Sequence, residues 1–215
     1  MLVRERPGAS DWLDGGVFDD VRRDGFAHVP GALRPGERHR LLEEADMARN
    51  RFLAVPDRIN GVQQCADQLT VRVGDLGHPS VNGLSGRVRR ALARWPTESD
   101  AHRFEPTEAR YMRYRGRRAG LGAHVDGKCY RVLVCVFSLV GTAEFSVVAD
   151  ASGSAAGVLV EPGDLLLLRA PGFGGGPDGR RRHAVGPPLD GERVSLTLRM
   201  VGATSPDLGR RALPG

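Results

Sequence analysis

The sequence predicts an α+β fold that is mainly β, with helices in the first half and an all-β body in the second. Before about residue 108, apolar residues recur at helical spacing in 35–50 and 85–95. Beyond it, strand-like segments are separated by Gly, Pro and Asp, a pattern typical of a sandwich or barrel. With 215 residues, we expect a single domain. In it, about 1–107 is helical and irregular support and a substrate lid, about 108–202 is the catalytic β core, and 203–215 is a loose tail.

The first half contains three helical signals and two strand signals. "VFDDVRRDGF" predicts a short helix, and "FAHV" predicts a strand at 26–29 that Pro30 and Gly31 close. "RPGERHRLLEEADMARN" has a proline near its start and predicts a helix over 35–50. Residues 51–82 are expected to be irregular, with one possible strand in "QLTVRV". "SGRVRRALARWP" predicts a basic amphipathic helix that stops before Pro96.

The second half reads as a succession of strands. They are "ARYMRYRG", "YRVLVCVFSLVG", "EFSVVAD", "GVLVEPGDLLLLRAP" and "RVSLTLRMVG". Each is rich in β-branched or aromatic residues, and turn-forming residues separate it from the next one.

Composition narrows the class of protein. The formal net charge is +5, but Lys128 is the only lysine, so the excess of arginine is typical of a GC-rich genome and argues weakly for a nucleic-acid partner. The sequence shows no apolar run of the length that a membrane span needs and no secretory h-region, and its three cysteines form no metal-like or CxxC pattern. We therefore expect a cytoplasmic protein without membrane contact. The sequence carries no signal for an oligomeric state.

The stretch "LGAHVDGKCY" holds a candidate metal site. On an extended chain His124 and Asp126 point the same way, because one residue separates them. Two histidines and one carboxylate suit non-haem Fe(II) and leave coordination positions open. The distant His183 precedes the final strand by a short loop, where a jelly roll can return it to the "HVD" stretch. The other candidates, each more typical of a structural or surface histidine, are His28, His39, His78 and His102.

The final strand predicts an anion site. In "RVSLTLR" the residues Arg193, Ser195, Thr197 and Arg199 alternate with Val194, Leu196 and Leu198. If the apolar face packs on a core, two arginines face the interior, where they need an anionic partner such as a dicarboxylate. The alternative is a two-sided strand whose polar face meets water.

Taken together, "HVD", His183 and "RVSLTLR" resemble the Fe(II)/2-oxoglutarate-dependent dioxygenase superfamily. The last strand is most similar to the AlkB-like branch, whose pattern is Arg-x-Asn-Leu-Thr-x-Arg. "RYMRYRGRRAGLGAHVD", "FSLVGTAEFSV" and "EPGDLLLLRAPG" also resemble family segments in the same order, so the similarity covers about 108–202. The resemblance implies a double-stranded β-helix core, jelly-roll or cupin-like, with the N-terminal helices packed on one sheet.

The resemblance also implies the roles of particular residues. His124, Asp126 and His183 would be the catalytic ligands of Fe(II). Arg193 would hold the distal carboxylate of 2-oxoglutarate beside Tyr114, and Arg199 would lie near its iron-chelating end with Ser195 also in the co-substrate site. The implied reaction uses O2 to hydroxylate, or otherwise oxidise, an unactivated C–H bond and releases succinate and CO2. Asp126 argues against the halogenase subclass, in which a small residue replaces the carboxylate.

The substrate signals are arginine-rich. Met112 and Ser195 stand where the AlkB-like branch has asparagine, which argues against its substrate. On a continuing strand Lys128 would face the same cavity as Asp126, and the arginine runs 115–118 and 180–182 would frame one mouth of the barrel. The predicted substrate contacts are Lys128, Arg115, Arg182 and Met112, and together they predict a small, anionic metabolite or biosynthetic intermediate. Solvated arginines are the alternative reading of both runs.

Other functions remain open. An AlkB-like dealkylase of nucleic acid bases needs a lid with stacking aromatics, whereas residues 51–82 contain only Phe52. A protein side-chain hydroxylase and a binding module without activity are further alternatives.

Overall fold

The computed structural model describes residues 13, 15–59, 62–95, 100–148, 155–175 and 178–202. Over these ranges two antiparallel sheets form a jelly roll, and helices pack on the larger sheet, as the sequence predicts. The predicted tail, 203–215, lies outside the described residues. Along the described chain, no helix has both the length and the apolar character needed to cross a membrane.

The described part of the first half contains three α-helices: α1 Gly15–Asp24, α2 Pro35–Met47 and α3 Pro79–Leu92. Short 3-10 turns cover Arg49–Arg51, Ala101–Arg103 and Phe173–Gly175. Both α2 and α3 begin at a proline, which suits the first helical position because the amide hydrogen missing there needs no partner. The third helix therefore begins six residues before the predicted 85–95 segment, at Pro79 rather than at Ser85.

Within the described ranges, thirteen strands form the two sheets. They are β1 Phe26–Val29, β2 Leu53–Ala54, β3 Arg58–Ile59, β4 Val62–Cys65, β5 Asp67–Arg72, β6 Glu108–Arg115, β7 Gly120–His124, β8 Tyr130–Val140, β9 Ala143–Val148, β10 Ala155–Val160, β11 Leu165–Arg169, β12 His183–Val185 and β13 Glu192–Val201. The larger sheet has the order β1-β11-β8-β13-β6-β5-β2, and the smaller has the order β10-β9-β12-β7-β4-β3.

The first half contributes more strand than the sequence predicts. β5 confirms the strand expected in "QLTVRV", but β2, β3 and β4 also lie within 51–82 and extend one edge of each sheet. Strands of two to four residues are too short to show an alternating pattern, which explains why the sequence gives no signal for them. Strands from before residue 108 therefore belong to both sheets, and the β structure is not confined to the second half of the chain.

β13 lies at the centre of the larger sheet, paired with β6 on one side and β8 on the other. Val194, Leu196 and Leu198 belong to the core that the helices cover. The alternate side chains, which start with Arg193, face the space between the sheets, where two smaller apolar clusters lie. The predicted division of this strand into an apolar and a polar face is confirmed.

The turn between β10 and β11 is fixed by Asp164. Its carboxylate accepts hydrogen bonds from the backbone amides of Gly31 and Glu161, both at 2.9 Å, and contacts His28 Nε2 at 2.8 Å. Burial alone would raise the pKa of Asp164, but the His28 and backbone hydrogen bonds outweigh it and lower that pKa. His28 therefore has a structural role that ties β1 to this turn.

Candidate metal and co-substrate site

The three side chains predicted to bind a metal lie together. His124 is the last residue of β7, and His183, the first residue of β12, pairs directly with it. Asp126 follows two residues after β7 ends, and one ligand atom from each residue lies within 4.8 Å of the others. His124 Nε2 is 3.7 Å from Asp126 Oδ1, and His183 Nε2 is 3.8 Å from Asp126 Oδ2.

Backbone carbonyls orient both imidazoles. His124 Nδ1 donates to Gly122 O at 2.9 Å, and His183 Nδ1 donates to Arg181 O at 3.1 Å. Because a carbonyl oxygen only accepts, these contacts place a ring hydrogen on each Nδ1, so that each Nε2 faces Asp126 and offers a lone pair when its ring is neutral. Two imidazole nitrogens and a carboxylate with this orientation fit a divalent ion such as Fe(II).

The charges of the cluster also suit a cation. Burial alone would raise the pKa of Asp126, but its contact with His124 and the nearby charges of His183 and Arg199 lower that pKa to about 2. Burial lowers the pKa of His183. Burial also acts to lower the pKa of His124, but the hydrogen bond and charge of Asp126 and the hydrogen bond to the Gly122 carbonyl together outweigh it and raise that pKa. Near neutral pH the carboxylate is therefore ionised and His183 is neutral, the forms that bind metal.

Arg193 is a buried cation that has no carboxylate partner in the part of the chain that the structure describes. It is 2% exposed, and no carboxylate among the described ranges lies within ion-pair distance of its guanidinium. The guanidinium carbon of Arg193 lies 5.5 Å from the ring centre of Tyr114, the residue that pairs with it on the neighbouring strand β6. Among the described residues, Arg193 Nε has no hydrogen-bond partner. Burial lowers the pKa of Arg193. Ser195, also buried, lies opposite Met112 on β6 and Ser138 on β8.

Arg199, on the same face of β13, already has hydrogen-bond partners within the protein. It donates to the Tyr130 hydroxyl at 2.9 Å and to Glu108 Oε1 at 3.2 Å, and its guanidinium carbon lies 4.6 Å from the Tyr130 ring centre. Sequence reasoning missed both partners. Alternation along β6 offered a signal for Glu108, which shares a face with Met112 and Tyr114.

The predicted place of Lys128 is wrong. β7 ends at His124, so the strand alternation that would aim Lys128 at the cavity stops before it, and this residue lies exposed in a turn. The hydrogen bond from Arg180 lowers the pKa of Asp178, and the positive charge of Lys128 also acts to lower it. Met112 is buried beside Tyr114 in the interior, as alternation predicts.

The arginine runs do not frame one mouth of the barrel. Arg115 is exposed at the end of β6, where it donates to Glu192 at 3.1 Å. Arg117 and Arg118 line a groove beside the start of β7, whereas Arg182 donates to Ala123 O at 3.2 Å near its end. The length of β7 therefore separates the two runs, and the expectation of a shared mouth is wrong.

The remaining histidines lie elsewhere. His39 is exposed and contacts Glu43 at 3.2 Å. His78 is buried beside Glu44, with 4.0 Å between the nearest side-chain nitrogen and oxygen. His102 lies in a 3-10 turn.

Similarity searches identify no matching protein family and no matching curated sequence, but solved structures share the fold. A prolyl-4-hydroxylase from Pseudomonas putida superposes with TM-score 0.63 at 16% identity, over 86% of this chain and 97% of that one. SnoK, a non-haem α-ketoglutarate-dependent carbocyclase from nogalamycin biosynthesis, gives 0.64 at 13%, over 99% and 97%. OsALKBH1 gives 0.58 at 19%, over 82% and 98%.

These structures confirm at the level of the fold the resemblance predicted from "HVD", His183 and "RVSLTLR". The chain has the jelly-roll fold of the 2-oxoglutarate–Fe(II) oxygenases. OsALKBH1, from the AlkB-like branch, also has this fold. The His-Asp-His cluster lies within that fold.

Proposed function

We propose that this protein is an Fe(II)/2-oxoglutarate-dependent oxygenase that oxidises an unactivated C–H bond of a small molecule. One observation carries the proposal: the jelly-roll interior holds a metal-competent His-Asp-His cluster and also a buried guanidinium without a carboxylate partner among the described residues. A metal-chelating oxodiacid needs both groups: a bound metal ion for its keto-acid end and a buried cation for its distal carboxylate.

The proposed roles follow from the contacts. His124, Asp126 and His183 would hold Fe(II) through one ligand atom each, and three protein ligands would leave the metal able to bind a co-substrate. Arg193 would form charge-assisted hydrogen bonds to the distal carboxylate of 2-oxoglutarate, and the Tyr114 ring lies beside the Arg193 guanidinium. When bound, the metal and co-substrate supply the oxidation of the C–H bond with O2, with succinate and CO2 as by-products.

The region around Phe52 favours a small-molecule substrate over a nucleic acid base. Phe52 is the only aromatic residue within 51–82, where a base-stacking lid would lie. Its ring packs against the helix-side core and lies 4.3 Å from the Arg113 guanidinium carbon, so this ring already has protein partners. SnoK, which shares the fold, is a carbocyclase from nogalamycin biosynthesis and supports a biosynthetic role for this chain as well.

An anionic substrate is part of the proposal. A narrow pocket reaches Asp126 and His183, and Arg169, Arg180 and Arg181 contribute to its wall. Arg180 is paired with Asp178, and the positive charge of Arg169 and Arg181 favours a carboxylate or phosphate group near the metal site.

Succinate release tests the function. The purified protein is incubated with Fe(II), ascorbate, 2-oxoglutarate and separate pools of carboxylates, nucleotides, amino acids and methylated oligonucleotides, with Asp126→Ala as the control. We expect substrate-dependent succinate in a small-molecule pool and none from the variant. Turnover confined to methylated oligonucleotides would instead support the dealkylase. Equal succinate formation by Asp126→Ala would contradict the proposed metal site.

A further inference from the structure

Asp126 is the one member of the metal cluster that no strand holds. His124 and His183 belong to the paired strands β7 and β12, whereas residues 125–127 follow the end of β7 and belong to no strand. A carboxylate on such a segment keeps a fixed position only if something outside the β-ladder anchors its backbone.

Arg180 supplies that anchor. Its Nη1 donates a hydrogen bond to the backbone carbonyl of Asp126. The guanidinium is itself oriented by Asp178, because Nε donates to Oδ1 at 2.7 Å and Nη2 donates to Oδ2 at 2.5 Å. The Arg180 side chain is only 8% exposed. This fork uses three donors in the plane of the guanidinium, a geometry that lysine lacks.

The segment that carries Arg180 is anchored as well. The carbonyl of Arg182 accepts a hydrogen bond from Val148 on β9 at 2.8 Å, and the carbonyl of Arg181 accepts the His183 ring hydrogen at 3.1 Å. The opposite side of this segment packs against Gly25. The contact is so close that a Cβ at position 25 would collide with the Arg181 side chain. The segment that presents His183 therefore also reaches back to hold Asp126.

We propose that Arg180 is a positioning residue that joins the two arms of the metal site, the β7 arm with Asp126 and the 178–183 arm with His183. This role rests on the proposed function. Without the Arg180 hydrogen bond, the backbone of 125–127 keeps the bond from the Tyr130 amide to the Gly127 carbonyl at 3.2 Å, but the Asp126 carbonyl loses its anchor and the carboxylate can turn away from the two Nε2 atoms. Loss of such outer contacts typically weakens metal binding about 10-fold to 100-fold.

The test compares wild type with Arg180→Met, Arg180→Lys and Asp178→Asn. Arg23→Met is the matched control, because Arg23 makes a similar fork with Asp24 on the surface, where Nε and Nη2 donate to the carboxylate at 3.0 and 2.6 Å. One readout is Co(II) affinity by calorimetry, and the other is hydrogen exchange of the amides in 125–129 in the metal-free protein.

We expect Arg180→Met to bind Co(II) about 10-fold to 100-fold more weakly and to exchange the 125–129 amides faster. Arg180→Lys should be intermediate, because an ammonium group can keep the bond to Asp126 but loses the fork. Asp178→Asn should show a smaller loss, and Arg23→Met should match wild type.

Wild-type Co(II) affinity and amide exchange in Arg180→Met, or in Asp178→Asn if Arg180→Met does not fold, would overturn the positioning role and leave the proposed function intact. Absence of Co(II) binding by the wild type would overturn the proposed function and, with it, this role in metal binding. The two variants keep the test decisive if one of them fails to fold.

Discussion

Arg193 and Arg199 lie on one face of one strand, yet their surroundings differ. Arg199 has a carboxylate and a hydroxyl as partners, Glu108 and Tyr130. Arg193 has an aromatic ring beside it and no ion-pair partner among the residues described. Fully buried charges are costly unless they are paired. Arg199 is therefore paired within the fold, whereas Arg193 is available to bind an external anion.

The comparison is sharpest in co-substrate binding. Replacement of Arg193 by Met should cost about 3–5 kcal/mol of 2-oxoglutarate binding, because the distal carboxylate loses its buried partner. This corresponds to an affinity loss between about 100-fold and several thousand-fold. Calorimetry with Co(II)-loaded protein measures it without turnover. Arg193→Lys, which keeps the charge and loses the planar fork, should lose less.

If Arg193→Met bound 2-oxoglutarate as tightly as the wild type while its Co(II) affinity was unchanged, the assignment of Arg193 would be wrong. Loss of both affinities would indicate general damage to the interior.

In the absence of ligands, the same two positions should change stability in opposite directions. Arg193→Met removes a charge that lacks an ion-pair partner within the described chain and should raise the free energy of unfolding by about 1–3 kcal/mol. Arg199→Met should lower it by about 1–3 kcal/mol, because Glu108 loses a donor but keeps the Arg110 contact at 3.2 Å. Urea denaturation of the metal-free proteins measures both. Changes of the same sign would remove the distinction between the two arginines.

Asp164 extends the comparison to a buried carboxylate that the fold satisfies completely. Its pKa is lowered in the folded state from the ordinary 3.8, so its contribution to stability is present above about pH 4 and is lost as the pH falls through the folded value. Asp164→Asn should lower the free energy of unfolding by about 1–2 kcal/mol at pH 7. The difference from wild type should shrink on acidification. A constant difference between pH 7 and pH 3 would show that the charge of Asp164 contributes nothing.

The sequence predicted the parts of the fold that long alternating strands encode. β6, β8 and β13 have 8 to 11 residues each, enough for alternation to show which side chains face the interior. The three metal-site side chains were found because the spacing of His124 and Asp126 sets one face, and because a jelly roll brings His183 back beside them. The two-residue strands β2 and β3 carry no such pattern.

The sequence failed where loops and cross-strand register decide the contacts. Lys128 was placed wrongly because strand alternation has no meaning beyond the end of β7. Arg199 lies opposite Glu108 through the pairing of β13 with β6, a register that no local pattern contains. The contact of Arg180 with the Asp126 carbonyl joins two loops 54 positions apart and depends on the path of both.

The central claim is that His124, Asp126 and His183 bind one divalent metal ion between β7 and β12. Anaerobic titration of Fe(II) into the wild type and Asp126→Ala tests it most directly. We predict one bound equivalent in the wild type and an affinity at least about 100-fold lower in the variant, because removal of a buried partner costs about 3 kcal/mol or more. Equal affinities, or no binding by the wild type, would contradict the claim.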